Sequence, residues 1–212
     1  MKIIIPAREG SKGFPHKNRA LFKYTVDSIP TEIRENVYVT SDDSKILEMA
    51  ASAGFKCINR PIELAKDDTS MKDVVIHALS SMDVSEDELV AVLYLTYPER
   101  QWVDLIDAVA FYIMMEPAMP VSSLLCKKPA KTSPFLLMYD FGHRGKQIIK
   151  HDLYRRQDYR ECFELSHFIV LVRPKNINKL NNNLYDSETL FWEIEDKIDV
   201  DYEKDFLTFY EN

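Results

Sequence analysis

Residues 2–18 read KIIIPAREGSKGFPHKN and join an apolar run to a basic loop that contains two glycines. The β-branched run at residues 2–6 predicts a short buried strand at the start of the chain. The loop that leaves it, residues 5–18, places three basic side chains around small residues. These are Arg8, Lys12 and Lys17 around Gly10, Ser11 and Gly13.

This loop has the composition of a phosphate-binding site. In an α/β sheet, ligands bind in the crevice beyond the carboxyl ends of the strands, where this loop would lie. Glycines there let backbone N–H groups approach phosphate oxygens, and Arg and Lys supply the opposite charge. The spacing matches neither G-x-x-x-x-G-K-[ST] nor G-x-G-x-x-G. We therefore predict a phosphate-binding loop of another kind, with a solvated basic turn as the alternative.

Strand-like and helix-like patterns alternate through the first ~125 residues. Strands are predicted at residues 36–41, 55–58, 89–96 and 120–125. Helices are predicted after a cap at Ser41 or Asp42 and ending at Gly54, after a capping box at Ser70 and Asp73, and over residues 101–115. The alternation predicts an α/β fold with a doubly wound, mostly parallel sheet and helices on both faces.

Residues 126–159 break this rhythm and are rich in Lys, Arg and His. They contain a β-like piece at 135–139 and a turn at 142–145, and we predict a protruding arm or substrate lid. Strands at 163–172 and 191–200 and a helix at 202–210 complete the prediction. The whole chain, residues 1–212, is expected to be a single domain with this arm.

Composition and charge exclude several classes of protein. The content of 46% hydrophobic residues is that of an ordinary globular protein. The net charge of −7 argues against sequence-independent nucleic-acid binding. The longest apolar stretch, residues 103–115, contains Asp104 and Asp107, so no membrane span is expected. The first six residues are too short an apolar run for a signal peptide. Three widely spaced cysteines predict neither a disulfide framework nor a C-x-x-C metal site, so a cytoplasmic protein is expected.

The loop also carries a longer motif, I-x-A-R-x-G-S-K-G-x-x-x-K-N, which is matched from Ile5 to Gly13 and again at Lys17 and Asn18. With this motif the chain resembles the acylneuraminate cytidylyltransferases, also called CMP-sialic acid synthetases. Their relatives act on other nonulosonic acids and, more distantly, on Kdo. The resemblance continues through the V-T-S-D-D run at 39–43, residues 60–70, the R-Q-D run at 156–158 and the I-D-V-D run at 198–201.

The resemblance implies a Rossmann-like nucleotidyltransferase fold and an enzyme that activates sialic acid or a related nonulosonic acid with CTP and Mg²⁺. It implies that the phosphates are bound by Arg8, Gly10, Ser11, Lys12, Lys17 and Asn18, with Arg60 and Ser70 near the cytidine. The catalytic residues that it implies are Arg8, Lys12, Asp199 and Asp201. The acidic sugar would meet Tyr94, Arg156 and Gln157. Relatives are typically dimers built through the arm, so a homodimer is expected.

Asp199 and Asp201 are the expected Mg²⁺ ligands. Their i, i+2 spacing would put both side chains on the same side of a strand. Mg²⁺ prefers hard oxygen ligands and usually keeps several waters, so two carboxylates and the phosphates suffice. Without the resemblance, a polar strand face explains the pair equally well.

Three departures from the family pattern surround the expected sugar pocket. The G-K-P-L segment is shortened at residues 21–25, Tyr94 stands where the family has a glutamine, and Ser166 and His167 replace an asparagine-glycine pair. These departures leave open a changed acceptor or weakened activity. Two other functions stay open: a nucleotide-sugar glycosyltransferase, which would also use a D-x-D pair, and a CTP-binding protein that has lost catalysis.

Overall fold

The computed structural model describes residues 1–211, with side chains to residue 210. Seven strands form one sheet and two more form a hairpin. The strands are β1 Lys2–Pro6, β2 Val37–Ser41, β3 Lys56–Asn59, β4 Val90–Val92, β5 Ser123–Pro129, β6 Met138–Asp140, β7 Gly145–Gln147, β8 Phe163–Val172 and β9 Leu190–Glu193. The helices are α1 Lys17–Ser28, α2 Ser44–Ser52, α3 Met71–Ser80, α4 Trp102–Met115 and α5 Glu203–Glu211.

The large sheet has the strand order β3-β2-β1-β4-β8-β5-β9. β1 pairs in parallel with β2 and β4, β2 with β3, and β5 with β9. β8 alone runs antiparallel, between β4 and β5. The predicted mostly parallel α/β sheet is confirmed.

Hydrophobic residues cover both faces of the sheet. Ile3 and Ile5 point into one cluster and Ile4 into the other, because alternate side chains of a strand face opposite sides. The first cluster packs the sheet against α1, α2 and α4, and the second packs it against α3 and residues 177–184. Helices on both faces make this a doubly wound fold, as predicted.

Two of the predicted helix ends are confirmed and one cap is wrong. Ser70 accepts a hydrogen bond from the backbone N–H of Asp73 at 3.1 Å, and Gly54 ends α2 with φ of +83°. The cap of α2 is Asp43, rather than Ser41 or Asp42, and its carboxylate accepts from the Lys45 N–H at 2.9 Å. Ser41 is the last residue of β2, and its hydroxyl instead accepts from the backbone of Asp43.

α1 follows the loop directly and was not among the predicted helices. The chain forms a helix of 12 residues over this segment, and Leu21, Phe22 and Thr25 are buried on its inner side. His16 precedes it with φ of 55°, a left-handed conformation that turns the chain from loop to helix. The loop therefore ends in a helix N-terminus.

Two strands are shorter than predicted, and the arm begins later. β4 ends at Val92, before a turn at residues 95–96, and β9 ends at Glu193, after which residues 194–200 have no regular secondary structure. Residues 126–129, assigned to the arm, belong to β5 in the large sheet. Beyond them β6 and β7 form a separate hairpin. Within residues 1–211, no helix has the length and apolar character that crossing a membrane would need.

Candidate active site

A cavity of about 170 Å³ opens where β1 ends and the loop begins. Its lining includes most of the predicted nucleotide-binding residues together with Tyr94, while Lys12 and Ser70 lie outside it. The lining residues are Pro6, Arg8, Gly10, Ser11, Lys17, Asn18, Arg60, Met71, Tyr94, Leu95 and Thr96. The segments that follow β1, β3 and β4 thus meet at the carboxyl end of the sheet, where ligands are expected in this fold.

The loop is held in place by contacts with the first turn of α1 and with the two residues that follow Ser41, the last residue of β2. The Asn18 side-chain amide donates to the Arg8 carbonyl at 2.8 Å, which closes the loop on the first turn of α1. The backbone N–H of Glu9 donates to Asp42 at 2.9 Å, and Arg19 donates to Asp43 at 2.7 Å and 3.0 Å. Asn18 therefore has a loop-closing contact in addition to its place in the lining.

The N-terminus of α1 adds positive potential to the same cavity. Lys17 and Asn18, the first two residues of this helix, both line it. The unpaired N–H groups and the dipole of a helix N-terminus favour an anion. The helix N-terminus and the Lys17 side chain therefore both contribute positive potential to the cavity.

Arg8 and Lys12 share one carboxylate. The Arg8 guanidinium contacts Asp67 Oδ1, and Lys12 Nζ lies 2.5 Å from Asp67 Oδ2. Hydrogen bonds from Lys12 and Arg8 lower the pKa of Asp67 below its usual value. Lys12 is 83% exposed, so its contact with Asp67 brings it to the rim of the site and not into the cavity.

Arg60 and Ser70, both expected near the cytidine, differ in their positions. Arg60 is only 5% exposed, lines the cavity and donates to the Thr40 carbonyl at 2.6 Å. Burial lowers its pKa to about 10, which still leaves the guanidinium charged at neutral pH. Ser70 caps α3 and lies outside the lining, whereas its neighbour Met71 lies within it.

Lys17 connects the loop to the predicted metal ligands. Its Nζ lies 3.0 Å from Asp201 Oδ1, and the lysine side chain is largely buried. Residues 201 and 202 also pack closely on Gly13. A Cβ built on Gly13 would lie 2.6 Å from the Asp201 carbonyl oxygen and 2.9 Å from the Tyr202 ring. Only glycine allows this approach at the unchanged backbone position.

Asp199 has a different partner. The buried Tyr97 hydroxyl donates to Asp199 Oδ2 at 2.9 Å, and burial raises the pKa of this phenol. Because β9 ends at Glu193, the expectation that Asp199 and Asp201 share one side of a strand is wrong. Each carboxylate is instead held by its own neighbour.

The donor set formed by Asp199 and Asp201 fits Mg²⁺. Both are exposed carboxylates, the hard oxygen ligands that this ion prefers. Within residues 1–211, no group of three or more His, Cys, Asp or Glu side chains is arranged to hold a metal ion. A magnesium ion here would therefore complete its shell with phosphate oxygens and waters, as Mg²⁺ usually does in nucleotide sites.

Arg156 and Gln157 lie apart from these residues. They occupy a short 3₁₀ turn in the predicted arm, and both are exposed. Arg156 lines a second cavity of about 580 Å³, between residues 129–136 and 156–162. The structure of one chain does not bring either residue to the nucleotide cavity.

Comparison with known proteins identifies the relatives of this chain. Residues 2–94 match the family model described as cytidylyltransferase. An N-acylneuraminate cytidylyltransferase of Escherichia coli O18:K1:H7 is 38% identical over 120 residues, which cover 53% of this chain and 28% of that protein. Over this part, the chain is similar to the N-acylneuraminate cytidylyltransferases.

Two further cytidylyltransferases extend the match. The N-acylneuraminate cytidylyltransferase of Streptococcus agalactiae serotype V is 26% identical over 216 residues, covering 96% of this chain and 51% of that protein. The pseudaminic acid cytidylyltransferase of Campylobacter jejuni is 34% identical over 106 residues, covering 45% of each. The chain spans about half, or less, of the length of the curated relatives it matches.

Solved structures agree on the fold. A CMP:2-keto-3-deoxy-manno-octonic acid synthetase complexed with CTP superposes with a TM-score of 0.67 at 14% identity, covering 100% of this chain and 99% of the other. A cytidylyltransferase from Leptospira borgpetersenii superposes with a TM-score of 0.60 at 15% identity, covering 98% and 84%. The sheet described above is therefore the cytidylyltransferase fold.

Two of the departures from the cytidylyltransferase pattern, at Tyr94 and His167, are in contact. Tyr94 lines the cavity, and its ring centroid lies 5.3 Å from that of His167. Ser166 donates to the Tyr97 hydroxyl at 3.3 Å. Burial lowers the pKa of His167, which favours the neutral imidazole. Tyr94 and His167 therefore form an aromatic wall beside the cavity, and Ser166 contacts the nearby Tyr97 instead.

Sequence reasoning missed the roles of Asp67 and Tyr97. Asp67 falls within the matched segment at residues 60–70, but its contact with Arg8 and Lys12 joins residues more than 50 positions apart. Tyr97 reads as one more apolar residue after a strand. Its residue type was one signal of this role, because a tyrosine buried in a core usually needs a hydrogen-bond partner.

Proposed function

We propose that this chain is a cytidylyltransferase that joins an acidic sugar, sialic acid or a related nonulosonic acid, to the CMP moiety of CTP. The observation that carries the proposal is the cavity at the end of β1, where Arg8, Lys17 and Arg60 gather beside the N-terminus of α1. A triphosphate is the ligand whose charge suits this arrangement. The family match over residues 2–94 supports the same ligand class.

The chemistry is an in-line substitution at the α-phosphorus. The sugar hydroxyl oxygen forms a bond to this phosphorus, the bond from it to the bridging oxygen of the β-phosphate breaks, and pyrophosphate leaves. The hydroxyl proton is released to solvent. The protein has to orient the two substrates and neutralise the charge that moves onto the leaving group.

The residues divide this work according to their positions. Arg8 and Lys17, with Lys12 at the rim, would bind and neutralise the phosphates, with help from the N–H groups near Gly10 and Ser11. Arg60 would lie beside the nucleotide from the buried side, next to the capped end of α3 at Ser70. Asp199 and Asp201 would hold Mg²⁺, which when bound supplies positive charge to the phosphates and can lower the pKa of the attacking hydroxyl.

The sugar site is proposed to involve Tyr94 directly and Arg156 and Gln157 through assembly or movement of the arm. Because Arg156 and Gln157 lie outside the nucleotide cavity of one chain, a second chain or a shift of the arm must bring them to a sugar. Apolar side chains are exposed between residues 136 and 154, and we propose that a second copy covers them. They are Leu136, Leu137, Met138, Tyr139, Phe141, Ile148, Ile149, Leu153 and Tyr154.

The homodimer would thus be built through the arm, as the resemblance implies. Exposed apolar surface on this scale is typical of a protein interface. Since CTP is a cytoplasmic metabolite, we expect the enzyme to act in the cytoplasm.

Pyrophosphate release tests the proposal. The protein would be given CTP and Mg²⁺ with a panel of nonulosonic acids and Kdo, and each of ATP, GTP and UTP would replace CTP in parallel. The wall formed by Tyr94 and His167 favours one other candidate, a CTP-binding protein without turnover. CTP-dependent thermal stabilisation without pyrophosphate release from any acceptor would identify that alternative.

A further inference from the structure

Tyr97 has a buried ring, and its hydroxyl donates a hydrogen bond to an exposed carboxylate. Tyr97 is 5% exposed, and its ring packs edge-on against Phe168 at 5.5 Å between centroids. Its hydroxyl donates to Asp199 Oδ2 at 2.9 Å and accepts from Ser166 at 3.3 Å. The rigid ring therefore fixes the point in space at which the carboxylate can accept its hydrogen bond.

The backbone on both sides of Asp199 is tied to the same loop. The N–H of Val200 donates to the Thr96 carbonyl at 2.8 Å, and the N–H of Ile198 donates to Glu99 Oε2 at 2.7 Å. Thr96 itself lines the nucleotide cavity. With both neighbouring amides held, the rotation of the Asp199 side chain is the principal remaining freedom, and the Tyr97 hydroxyl restricts it.

A carboxylate held in this way is suited to binding a cation. Oδ2 accepts the phenol hydrogen, and the carboxylate keeps its second oxygen, Oδ1, as a potential ligand atom. Hydrogen bonds to a ligating side chain orient it and typically change metal affinity by about 10–100-fold. These contacts lie within the chain itself, so the ordering does not have to be created by a bound ligand.

We propose that Tyr97 is a positioning residue that holds the Asp199 carboxylate for the divalent ion, with Ser166 orienting the Tyr97 hydroxyl. The inference rests on the proposed function only in so far as Asp199 binds the ion. It adds a residue outside the cavity lining and gives the replacement at Ser166 a specific role.

The test uses Tyr97→Phe, which keeps the ring and removes the hydroxyl. Tyr112→Phe is the matched control, because Tyr112 is also buried but its ring lies beside Arg173, 5.7 Å from the guanidinium. The melting temperature is measured with CTP alone and with CTP over a range of Mg²⁺ concentrations. Pyrophosphate release is measured over the same range.

Tyr97→Phe should raise the Mg²⁺ concentration for half-maximal stabilisation by about 10-fold, while the shift caused by CTP alone stays unchanged. At saturating Mg²⁺, turnover should approach that of the parent protein. Ser166→Ala should have a smaller effect in the same direction, and Tyr112→Phe should have none. If Tyr97→Phe does not fold, Ser166→Ala carries the test, and a parental Mg²⁺ requirement in that variant overturns the proposal.

Asp199→Asn separates this inference from the proposed function. If Asp199→Asn leaves the Mg²⁺ dependence unchanged, Asp199 is not a metal ligand and the proposed metal site fails. If Asp199→Asn abolishes that dependence but Tyr97→Phe matches the parent, only the positioning role fails. Combined with Asp199→Asn, Tyr97→Phe should have no further effect on the Mg²⁺ requirement. A full further effect would show that Tyr97 acts by another route.

Discussion

Lys17 Nζ lies 3.0 Å from Asp201 Oδ1, in an ion pair that joins the first residue of α1 to the segment just before α5. The same segment touches Gly13 and, through Asp199, the Tyr97 hydroxyl. The first and last parts of the chain thus build one site. Residues proposed to bind phosphate and residues proposed to bind Mg²⁺ are in direct contact.

Lys17→Met tests this junction. Removing the ammonium group should weaken CTP binding by about 1.5–3 kcal/mol, the scale of a charge-assisted hydrogen bond. The fold should survive, because Asp201 is 65% exposed and can be solvated when its partner is lost. Calorimetric titration with CTP gives the affinity, and Lys23→Met, an exposed position on the same helix, is the control. An unchanged dissociation constant for Lys17→Met would remove this residue from the phosphate site.

Asp67→Asn should tighten CTP binding. The Asp67 carboxylate pairs with Arg8 and Lys12, so phosphates must compete with it for these side chains. Because these side chains are partly or largely exposed, the gain should be modest and should shrink at high salt. Asp68→Asn removes the same charge at the adjacent position and is the control. Weaker binding in Asp67→Asn would mean that Asp67 orders the loop instead of competing with the ligand.

Gly13→Ala should destabilise the protein and impair the site. Its Cβ would collide with the Asp201 carbonyl and the Tyr202 ring, so the segment before α5 must move, at a cost of about 1–3 kcal/mol. Gly10→Ala provides the comparison, since among the described residues no heavy atom lies within 4 Å of a Cβ built there. Thermal unfolding without ligand measures both. Equal melting temperatures for the two variants would contradict the close approach at Gly13.

Asp199→Asn and Asp201→Asn should each reduce turnover by about two orders of magnitude, with a raised Mg²⁺ requirement, because each removes one proposed oxygen ligand. The double variant should be little worse than the more damaging single one, since residues that serve one ion are not additive. Steady-state rates at limiting and saturating Mg²⁺ measure this. Near-normal turnover of both single variants at limiting Mg²⁺ would leave the pair as a polar surface segment only.

The sequence predicted those features of the fold that local patterns specify. A β-branched run identified β1, and the cap at Ser70 and the glycine at Gly54 marked helix ends by local hydrogen bonding and backbone conformation. α1 was not predicted from the sequence because its buried positions, such as Leu21 and Thr25, alternate with charged residues that lower its overall hydrophobicity. β9 was predicted too long because the apolar pattern continues through residues 194–200, which form no regular strand pairing.

The candidate site was predictable as a set of residues but not as a set of contacts. The loop motif placed Arg8, Lys17 and Asn18 together because they are neighbours in the chain. The contacts of Asp67 with Arg8, of Tyr97 with Asp199 and of Lys17 with Asp201 depend on how distant segments pack. Local periodicity carries no information about such pairs.

The most direct test of the central claim is pyrophosphate release from CTP by the purified protein with Mg²⁺ and each acidic sugar in turn. The account predicts release that requires both CTP and at least one nonulosonic acid or Kdo, with formation of the matching CMP-sugar. ATP, GTP and UTP should give much less. Pyrophosphate release with every nucleotide alike, or none from CTP with any acceptor in the panel, would contradict the proposed cytidylyltransferase activity.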